Sequence, residues 1–481
     1  MGNDNKECDV LFLYPPYEKR VGGGSMFPLG IGYLISSVKQ AGFTFAYIDC
    51  QDFYCEDSNR FVQKLADEIS KKKYLVIAIS CITTAAVPFL EDIITACRIS
   101  SKSIPIILGG QLVSIDYVEK LFFEKYNIDA ICKGDGDEIL PALIKHLKDG
   151  NIIDTFFEVS TPKRTAKKHY IENIDLLPFP YRNREIVSKM KLSFRRSSYA
   201  SKTITMITSR GCAYSCSYCV SGCNSKQKFK KRSWQNIVEE IKHLQKEYQI
   251  YSIVFYDDCF FYNKKTADED VKTFIQEIKK QKCEPFEWQI EIRADVVTAI
   301  SSDSWKLLYQ NGCRQINIGV ESCYEDTLRF LGKEIKLEVI EEAFDILQSS
   351  VPEMILAATY IVGGPNSDRE HILKLAEFSK RMGLLYIRLH PLELHPGTKI
   401  YESIHGKSDA WYQFIVSNKD LYACMYYEED KNKLMEIMEF IKQAYCNFYL
   451  SEYWYEKAKD FYGEDVDEKQ RSVIKVYGLD R

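Results

Sequence analysis

The stretch of sequence that decides the fold reads Ser209-Arg210-Gly211-Cys212-Ala213-Tyr214-Ser215-Cys216-Ser217-Tyr218-Cys219. Its three thiols have the spacing C-x3-C-x2-C and directly follow an apolar segment, which predicts a strand that ends in a loop. A strand sends neighbouring side chains to opposite faces, whereas a loop can turn three thiols toward one metal centre. Thiolates suit iron–sulfur clusters and zinc. Three ligands on a four-iron cluster would leave one iron open, and an open metal position is where a substrate can bind.

A fourth thiol, that of Cys223, allows a different interpretation of the same stretch. The spacing C-x3-C-x2-C-x3-C could supply four thiolates to zinc or to a ferredoxin-type cluster, in a non-catalytic structural or electron-transfer protein. Short structural zinc sites usually pair two C-x2-4-C knuckles at a distance, which is not the pattern here. We therefore expect Cys223→Ser to leave the metal centre intact.

The sequence around the cysteines alternates between predicted strands and predicted helices. Six candidate strands cover 203–209, 251–257, 287–293, 315–321, 354–362 and 385–393, and the helical segments between them are 233–249, 267–281, 301–310, 336–349 and 368–382. Ser233 is the expected N-cap of the first of these helices. Six βα units predict a partial (β/α)6 barrel over residues 201–400, with its chemistry at the carboxyl ends of the strands.

The N-terminal part of the chain shows a second α/β alternation. Largely apolar segments that are typical of buried parallel strands lie at 9–14, 44–49, 75–80, 104–108 and 128–132, and helical segments lie at 29–40, 59–72 and 138–148. They predict a doubly wound, Rossmann-like domain over residues 1–150. Leu177-Pro178-Phe179-Pro180 is incompatible with a central strand or a helix interior, so residues 151–200 are expected to be a linker with short strands. Residues 401–481 are Tyr-rich and predict a helical region.

Composition and charge exclude several classes of protein. The chain has 481 residues, and 64 Lys and Arg residues against 68 Asp and Glu residues give a net charge of −4. This balance excludes a strongly basic nucleic-acid binder, and we expect the basic segment Lys226–Arg232 to be solvated. The N-terminus lacks the apolar core of a secretory signal, and no apolar stretch reaches the length of a membrane span. The sequence therefore predicts a cytoplasmic protein whose clustered cysteines bind metal.

The cysteine motif, with an aromatic residue before its third thiol, resembles that of the radical S-adenosylmethionine (radical SAM) superfamily. The resemblance implies a [4Fe–4S] cluster on Cys212, Cys216 and Cys219, whose open iron is chelated by SAM. It also places further residues around SAM. These are Tyr218 near the adenine, Asp257 and Asp258 at the amino group, Arg293 at the carboxylate (or simply paired with Asp295), Glu321 and Ser322 near the ribose and carboxylate, and Gly363 and Gly364 beside the adenine.

The N-terminal domain resembles the cobalamin-binding domain that precedes many radical SAM domains. The resemblance rests on glycine-bearing loops that follow predicted strands, and it implies cobalamin-binding positions at Pro28, Leu29, Gly30, Gly32, Gly109, Gly110, Gly134 and Gly136. One departure is that the cobalt-ligating motif Asp-x-His-x-x-Gly is missing. The only histidine in residues 1–150 is His146, so cobalamin would bind without a histidine ligand from the usual loop.

Together these resemblances imply a cobalamin-dependent radical SAM enzyme, expected to be a C-methyltransferase that acts on an unactivated carbon of a small metabolite or natural-product intermediate. An external one-electron reductant, such as flavodoxin or ferredoxin, would be its partner, and nucleic acid is not expected as one. The alternative within the same chemistry is rearrangement, cyclisation or ring contraction without methyl transfer. Methylthiolation of tRNA is disfavoured, because Cys50, Cys55 and Cys81 do not show the three-cysteine pattern of methylthiotransferases.

Overall fold

Two parallel β-sheets organise the chain in the computed structural model, which describes residues 7–16, 27–189, 203–223, 229–365, 367–418 and 424–479. The first sheet has the order β2-β1-β3-β4-β5, and all of its neighbouring strands are parallel. Its strands are β1 Glu7–Tyr14, β2 Phe45–Asp49, β3 Lys73–Ser80, β4 Ile106–Gly109 and β5 Ala130–Cys132. The helices that accompany it are α1 Leu29–Gln40, α2 Ser58–Ile69, α3 Val87–Ser100, α4 Asp116–Lys125 and α5 Ile139–Lys148.

The side chains of the first sheet pack into two hydrophobic cores, one on each face of the sheet. On β1, Leu11 and Leu13 belong to one core, whereas Val10 and Phe12 belong to the other. This alternation confirms the predicted doubly wound arrangement, in which helices cover both faces of a parallel sheet. Helices α3 and α4 are not among the segments predicted from the sequence. Neither begins with a side chain that caps its first turn, but the same is true of α1 and α5, so the missing caps do not account for the difference.

The second sheet is an open half-barrel of six parallel strands that are hydrogen-bonded in chain order. Its strands are β6 Thr203–Met206, β7 Ser252–Phe255, β8 Glu287–Arg293, β9 Cys313–Glu321, β10 Ile355–Val362 and β11 Tyr386–Pro391. Its outer helices are α6 Trp234–Tyr248, α7 Ala267–Lys280, α8 Ser302–Gln310, α9 Leu337–Ser350 and α10 Arg369–Arg381. The predicted partial barrel is confirmed, and the Ser233 side chain caps α6 as expected by accepting a hydrogen bond from the Asn236 amide.

Several shorter elements connect these layers. Two antiparallel ladders of two residues each join Ser209–Arg210 to Lys230–Lys231 and Glu393–Leu394 to Met425–Tyr426. The short α-helices are Arg184–Lys189, Val220–Cys223, Ala294–Val297, Glu325–Phe330, Lys399–His405 and Ala410–Ser417. Within the described residues, no helix combines the length and the apolar character that crossing a membrane requires.

Part of the predicted linker lies against the last strand of the first sheet. Isolated bridges pair Ile131 with Ser160 and Gly134 with His169. Gly134 has a φ of +87°, and a Cβ at this position would lie 2.0 Å from the His169 carbonyl oxygen. Only glycine allows this approach. The domain boundaries at 150, 200 and 400 stay predictions, and residues 190–202 lie outside the described part of the chain.

The C-terminal region is mainly helical, and its aromatic residues cover the free edge of the half-barrel. Helices α11 Lys431–Tyr449, α12 Glu452–Tyr462 and α13 Val466–Tyr477 pack beside β11. The Tyr449 hydroxyl accepts from the Ile387 amide at 2.9 Å and donates to the Ile387 carbonyl at 2.8 Å. Tyr445 forms the same pair of bonds with Leu389. Because one phenol both donates and accepts, each tyrosine satisfies two main-chain groups of the edge strand.

We expect Tyr449→Phe to weaken this edge locally. The Ile387 amide would lose its hydrogen-bonding partner inside a buried layer, which costs about 1–3 kcal/mol, and the Ile387 carbonyl would keep only the longer bond from the Tyr477 hydroxyl at 3.3 Å. Hydrogen–deuterium exchange should therefore show faster exchange in the peptide that contains Ile387. The control is Tyr455→Phe, whose hydroxyl bonds Asp467 near the surface and should leave β11 unchanged. Equal exchange in both variants would contradict the role given to Tyr449.

Candidate active site between the two sheets

The cysteine loop is fixed in place by main-chain hydrogen bonds to two other elements. The Ser217 amide donates to the Leu331 carbonyl at 3.0 Å, and the Ser217 carbonyl accepts from the Ile400 amide at 3.0 Å. Behind the loop, an added Cβ on Gly222 would lie 3.1 Å from the Cys216 nitrogen. These contacts hold the middle of the loop rigidly while its thiols stay partly accessible.

The three predicted ligands, Cys212, Cys216 and Cys219, lie together on this loop. Burial raises the pKa of Cys219 to about 12 and also raises the pKa of Cys212, and neighbouring thiols of the trio contribute to both shifts. A metal that binds these sulfurs would displace their protons. Among the described residues, no three Cys, His, Asp or Glu side chains surround a point that could hold one metal ion. The Cys223 side chain lies outside the described part of the structure.

Arg293 reaches the cysteine loop from the end of β8. Its guanidinium lies over the Tyr214 ring, 3.8 Å from the ring centroid, and its Nη1 donates to the Cys216 sulfur at 3.8 Å. Its Nε donates to Asp295 at 3.0 Å. The side chain therefore pairs with Asp295, as one of the two interpretations expects, and its contact with the SAM carboxylate stays a prediction.

The two predicted aspartates after β7 have different surroundings. The carboxylate of Asp257 is buried and accepts from the Thr208 amide at 2.8 Å and from the Ser209 hydroxyl at 2.6 Å. It therefore holds the chain just before the cysteine loop. Asp258 is exposed, and its charge contributes to the raised pKa of Cys212 and of Cys219, which places it on the thiol side. Of the two carboxylates, Asp258 is the more exposed, and it forms a hydrogen bond with Ser221 of the cysteine loop.

The end of β9 is strained and carries a buried ion pair. Glu321 has a φ of +65°, which is rare for a residue other than glycine, and the pairing of β9 with β10 shifts register between Gly319 and Glu321. Its carboxylate accepts from Lys333 at 2.7 Å. Burial, followed by the charge of Glu321, raises the pKa of Tyr218 well above its ordinary value. Such strain persists where the surroundings enforce it, which is common at ligand sites.

The remaining residues predicted to lie near SAM are Ser322, Gly363 and Gly364, and the structure shows the contacts they make within the protein. Ser322 is buried, and its hydroxyl accepts from the Tyr324 amide at 3.1 Å. Gly363 needs its positive φ of +83°. A Cβ on Gly364 would face the side chains of Leu392 and Phe330 rather than open space.

A cavity of about 230 Å³ opens at the carboxyl ends of the first sheet, and we call it the glycine cavity. Five of the eight predicted cobalamin positions line it, namely Gly30, Gly109, Gly110, Gly134 and Gly136. Pro28, Leu29 and Gly32 do not line this cavity. Gly32 instead packs against the linker, where a Cβ would lie 2.8 Å from the Tyr181 carbonyl oxygen. Residues two apart on a helix lie roughly 200° apart, so Gly30 and Gly32 of α1 face opposite sides.

The glycine cavity suits a wide, flat ligand such as a corrin. A Cβ on Gly30 or Gly109 would meet nothing within 4 Å, so at both positions the backbone borders open space. The lining is mainly glycine and apolar residues, and no histidine is among the described residues that line it. His146, the only candidate in the first domain, instead bonds Thr155 at 2.9 Å. The predicted lack of a histidine ligand from this domain is consistent with the geometry.

A second cavity, of about 280 Å³, connects the first domain to the cysteine loop, and we call it the interdomain cavity. It shares Gly110, Gly134, Asp135 and Arg210 with the glycine cavity and extends to Gly211 and Ser221. Arg210 crosses between the domains and pairs with Asp135 at 3.0 Å and with Asp137 at 2.8 Å. The Cys212 loop is thus tied directly to the loop that follows β5.

The basic segment Lys226–Arg232 was predicted to be solvated, but the side chains in its second half are bound to other parts of the protein. Lys231 donates to the Thr208 hydroxyl and to the Phe260 carbonyl, both at 2.7 Å, and Arg232 is buried against Glu240. Burial lowers the pKa of Lys231 to about 8. These side chains support the strand before the cysteine loop, and residues 224–228 lie outside the described part of the chain.

Comparison with known protein families agrees with this arrangement. The radical SAM superfamily model matches residues 206–379, and the B12 binding domain model matches residues 20–144. The chain therefore contains a radical SAM domain and carries a B12-binding domain ahead of it. It is a radical SAM enzyme whose cofactors are a [4Fe–4S] cluster, SAM and cobalamin.

Individual relatives include methyltransferases and a cyclase. An uncharacterized methyltransferase of Pyrococcus horikoshii is 25% identical over 463 residues, which cover 92% of this chain and 93% of that protein. The anaerobic magnesium-protoporphyrin IX monomethyl ester cyclase of Cereibacter sphaeroides is 24% identical over 376 residues, which cover 75% of this chain and 58% of the cyclase. The radical S-adenosylmethionine methyltransferase TsrM from Kitasatospora setae, solved with cobalamin and a [4Fe–4S] cluster, shares the fold with a TM-score of 0.65 and 14% identity, covering 98% of this chain and 99% of that one.

Sequence reasoning missed two basic residues of this site. Arg210 belongs to the quoted cysteine stretch, but its aspartate partners lie 73 and 75 residues away in the chain. Lys333, the partner of Glu321, follows Gly332 in a segment without any motif. The one usable signal was the pair of aspartates in Gly134-Asp135-Gly136-Asp137, since acidic side chains in a buried loop need a cation nearby.

Proposed function

We propose that the chain is a cobalamin-dependent C-methyltransferase that modifies an unactivated carbon of a small metabolite or natural-product intermediate. When bound, the cluster and SAM supply a 5′-deoxyadenosyl radical that removes hydrogen from carbon, and cobalamin supplies the methyl group. Electrons would come from an external one-electron donor such as flavodoxin or ferredoxin.

The observation that carries this proposal is the continuity between the two cavities. Gly110, Gly134, Asp135 and Arg210 line both the glycine cavity and the interdomain cavity. Methyl transfer requires the carbon radical and the methyl donor to meet, and a space that reaches from the B12-binding loops to the cysteine loop satisfies that requirement.

The chain's own residues would hold and orient the cofactors. Cys212, Cys216 and Cys219 would hold the cluster, with the Arg293 guanidinium beside Cys216. Asp258 would accept from the SAM ammonium, because a charged donor favours a carboxylate partner. Tyr218 and Glu321 would border the same ligand. Asp257, Ser322 and Gly364 would support the site from behind, since their contacts are made within the protein.

The proposal is tested with SAM that carries a deuterated methyl group. Protein reconstituted anaerobically with iron, sulfide and hydroxocobalamin is reduced and mixed with a small-molecule extract. We expect both S-adenosylhomocysteine and 5′-deoxyadenosine, and a product heavier than its precursor by one labelled methyl group in place of hydrogen. Absence of deoxyadenosine under strong reduction would contradict any radical SAM activity.

The similarity to a cyclase favours a second candidate, which is cyclisation or rearrangement without methyl transfer. This candidate predicts deoxyadenosine without S-adenosylhomocysteine and a product that contains no deuterium. The same reaction mixture therefore separates the two functions, because methylation always consumes the labelled methyl group.

We expect Asp258→Asn to weaken SAM binding without disturbing the cluster. The substitution removes one negative charge from the side of the site where the thiols lie. The asparagine side chain is nearly the same size as that of aspartate. A charge-assisted hydrogen bond contributes about 1.5–3 kcal/mol, so SAM affinity should fall by roughly 10- to 100-fold. Equilibrium dialysis with labelled SAM measures this change. Asp270→Asn on the outer helix α7 is the control, and equal SAM affinity in Asp258→Asn and wild type would contradict the assignment.

A further inference from the structure

The inner face of the half-barrel carries an arginine, Arg388 of strand β11. On β11, Ile387 and Leu389 are buried and bond the tyrosines of α11, so Arg388 and His390 point to the opposite, concave face. We call the space inside this concave face the barrel lumen. The strand register places Glu291 of β8 on the same face, in line with Asn317, Ala357 and Tyr386, and the charge of Arg388 acts on Glu291 and on Tyr256 after β7.

Arg388 lacks a carboxylate partner within the part of the chain that the structure describes. It is exposed, and no described carboxylate lies within ion-pairing distance of its guanidinium. The neighbouring imidazole of His390 is also accessible, and burial lowers its pKa, so it does not compete strongly for an anion. The charge of Arg388 acts on the Glu291 carboxyl, but burial is the larger effect and raises the pKa of that group.

The Tyr256 side chain, whose pKa the charge of Arg388 affects, is exposed but still influenced by its protein surroundings. Tyr256 is 61% exposed, although burial is the largest cause of its raised pKa. The half-barrel sheet bounds the barrel lumen on one side, so side chains on its inner face line a recess rather than a flat surface. A cation inside such a space attracts anions more strongly than one on an open surface, because the low-dielectric walls focus its field.

Deeper in the lumen, three buried amide side chains lack partners for some of their atoms. Gln289, Gln315 and Asn317 are 5%, 6% and 6% exposed. Gln315 donates to the Asn317 Oδ1 at 2.7 Å, but no described group bonds the Gln289 Oε1, the Gln315 Oε1 or the Asn317 Nδ2. Buried polar groups are normally satisfied, so these atoms indicate a polar occupant of the lumen.

We infer that the barrel lumen binds a substrate with a carboxylate or phosphate group that pairs with Arg388, and with polar groups that reach toward the amides of Gln315 and Asn317. This inference rests on the proposed function and defines the class of its substrate. The planar guanidinium offers parallel N–H donors that match the oxygens of a carboxylate or a phosphate, which makes Arg388 the specificity-determining residue of the lumen.

The inference is tested with matched pairs of charged and neutral probes on the reconstituted holoenzyme. Ligand-observed NMR measures the dissociation constants of phenylacetate against phenylacetamide, and of phenyl phosphate against phenol. We expect the charged member of at least one pair to bind at least roughly tenfold more tightly than its neutral analogue. The carboxylate pair and the phosphate pair distinguish the two sources of negative charge.

Three variants test whether the preference for the charged probe depends on Arg388. Arg388→Gln should remove the preference for the charged probe, and Arg388→Lys should retain part of it. Arg381→Gln, on the outer face of α10 where Arg381 pairs with Glu341, should bind like wild type. Iron content and SAM cleavage of each variant show whether its fold and cofactors are intact.

Two results would overturn the inference. One is that no charged probe binds better than its neutral analogue, and the other is that Arg388→Gln leaves the preference unchanged. Failure of the proposed function is distinguishable from both. In that case wild-type protein would form no product that carries the deuterated methyl group, whatever the probes show.

Discussion

Cys216→Ser is expected to remove the iron–sulfur cluster and, with it, all cleavage of SAM. A serine hydroxyl stays protonated at neutral pH and is a poor ligand for iron, so two thiolates would remain for a centre that needs three. Iron and sulfide content, the visible absorption of the cluster and the yield of deoxyadenosine should all fall to background. The effect on activity is the largest we expect from one side chain in this protein.

Two cysteine variants serve as controls for this result. Cys283→Ser changes a partly exposed thiol outside the cysteine loop and should retain full iron content. Cys223→Ser should also retain the cluster, because the proposed site uses three thiolates and leaves one iron for SAM. Loss of the cluster in Cys223→Ser would revive the closed site with four thiolates and contradict the radical mechanism.

The Arg210→Ala variant is expected to show the largest loss of stability. Arg210 forms ion pairs with Asp135 and with Asp137. The Asp137 side chain is only 4% exposed. Removing one partner of a buried ion pair leaves an uncompensated charge, which costs about 3–5 kcal/mol. The contact joins the domains beside both cavities, so cobalamin affinity should fall together with the melting temperature. Thermal unfolding and hydroxocobalamin titration measure the two effects.

A surface arginine provides the comparison for Arg210. Arg184 is 73% exposed and pairs with Glu247 at 3.3 Å, and exposed pairs of this kind contribute about 0–1 kcal/mol. Arg184→Ala should therefore unfold at nearly the wild-type temperature. If Arg210→Ala behaves like Arg184→Ala, the interdomain ion pair does not stabilise the protein. Asp137→Asn is a second test, since it removes the buried charge while keeping the size of the side chain.

The sequence predicted best those elements whose formation depends on residues close together in the chain. The strand β9 was expected at 315–321 and lies at Cys313–Glu321, because its apolar residues Ile316, Ile318 and Val320 recur at every second position. Helix α6 begins where the Ser233 cap predicts. The loop position of the cysteines also follows from their spacing alone. Each of these patterns is contained within about 15 neighbouring residues, where propensity and periodicity act.

The features that sequence reasoning missed depend on contacts between distant segments. The composition of Lys226–Arg232 indicates solvent, but Arg232 is buried because Glu240 and the Ile207 carbonyl bind it. Asp257 and Asp258 are adjacent and chemically identical, and only the fold decides which one faces the thiols. Arg388 carries no motif at all, and its significance depends on β11 placing it opposite Tyr256 and Glu291.

The tyrosine hydroxyls on β11 have a practical consequence for shortened versions of this protein. A parallel sheet that ends in open amides and carbonyls is a template for intermolecular strand addition and aggregation. Here the template is masked by side chains from a segment that reaches Tyr477, whose hydroxyl bonds the Ile387 carbonyl at 3.3 Å. A recombinant fragment that stops after the last barrel strand would expose that template. Expression of the catalytic domain alone should therefore give insoluble protein unless the fragment extends past Tyr477.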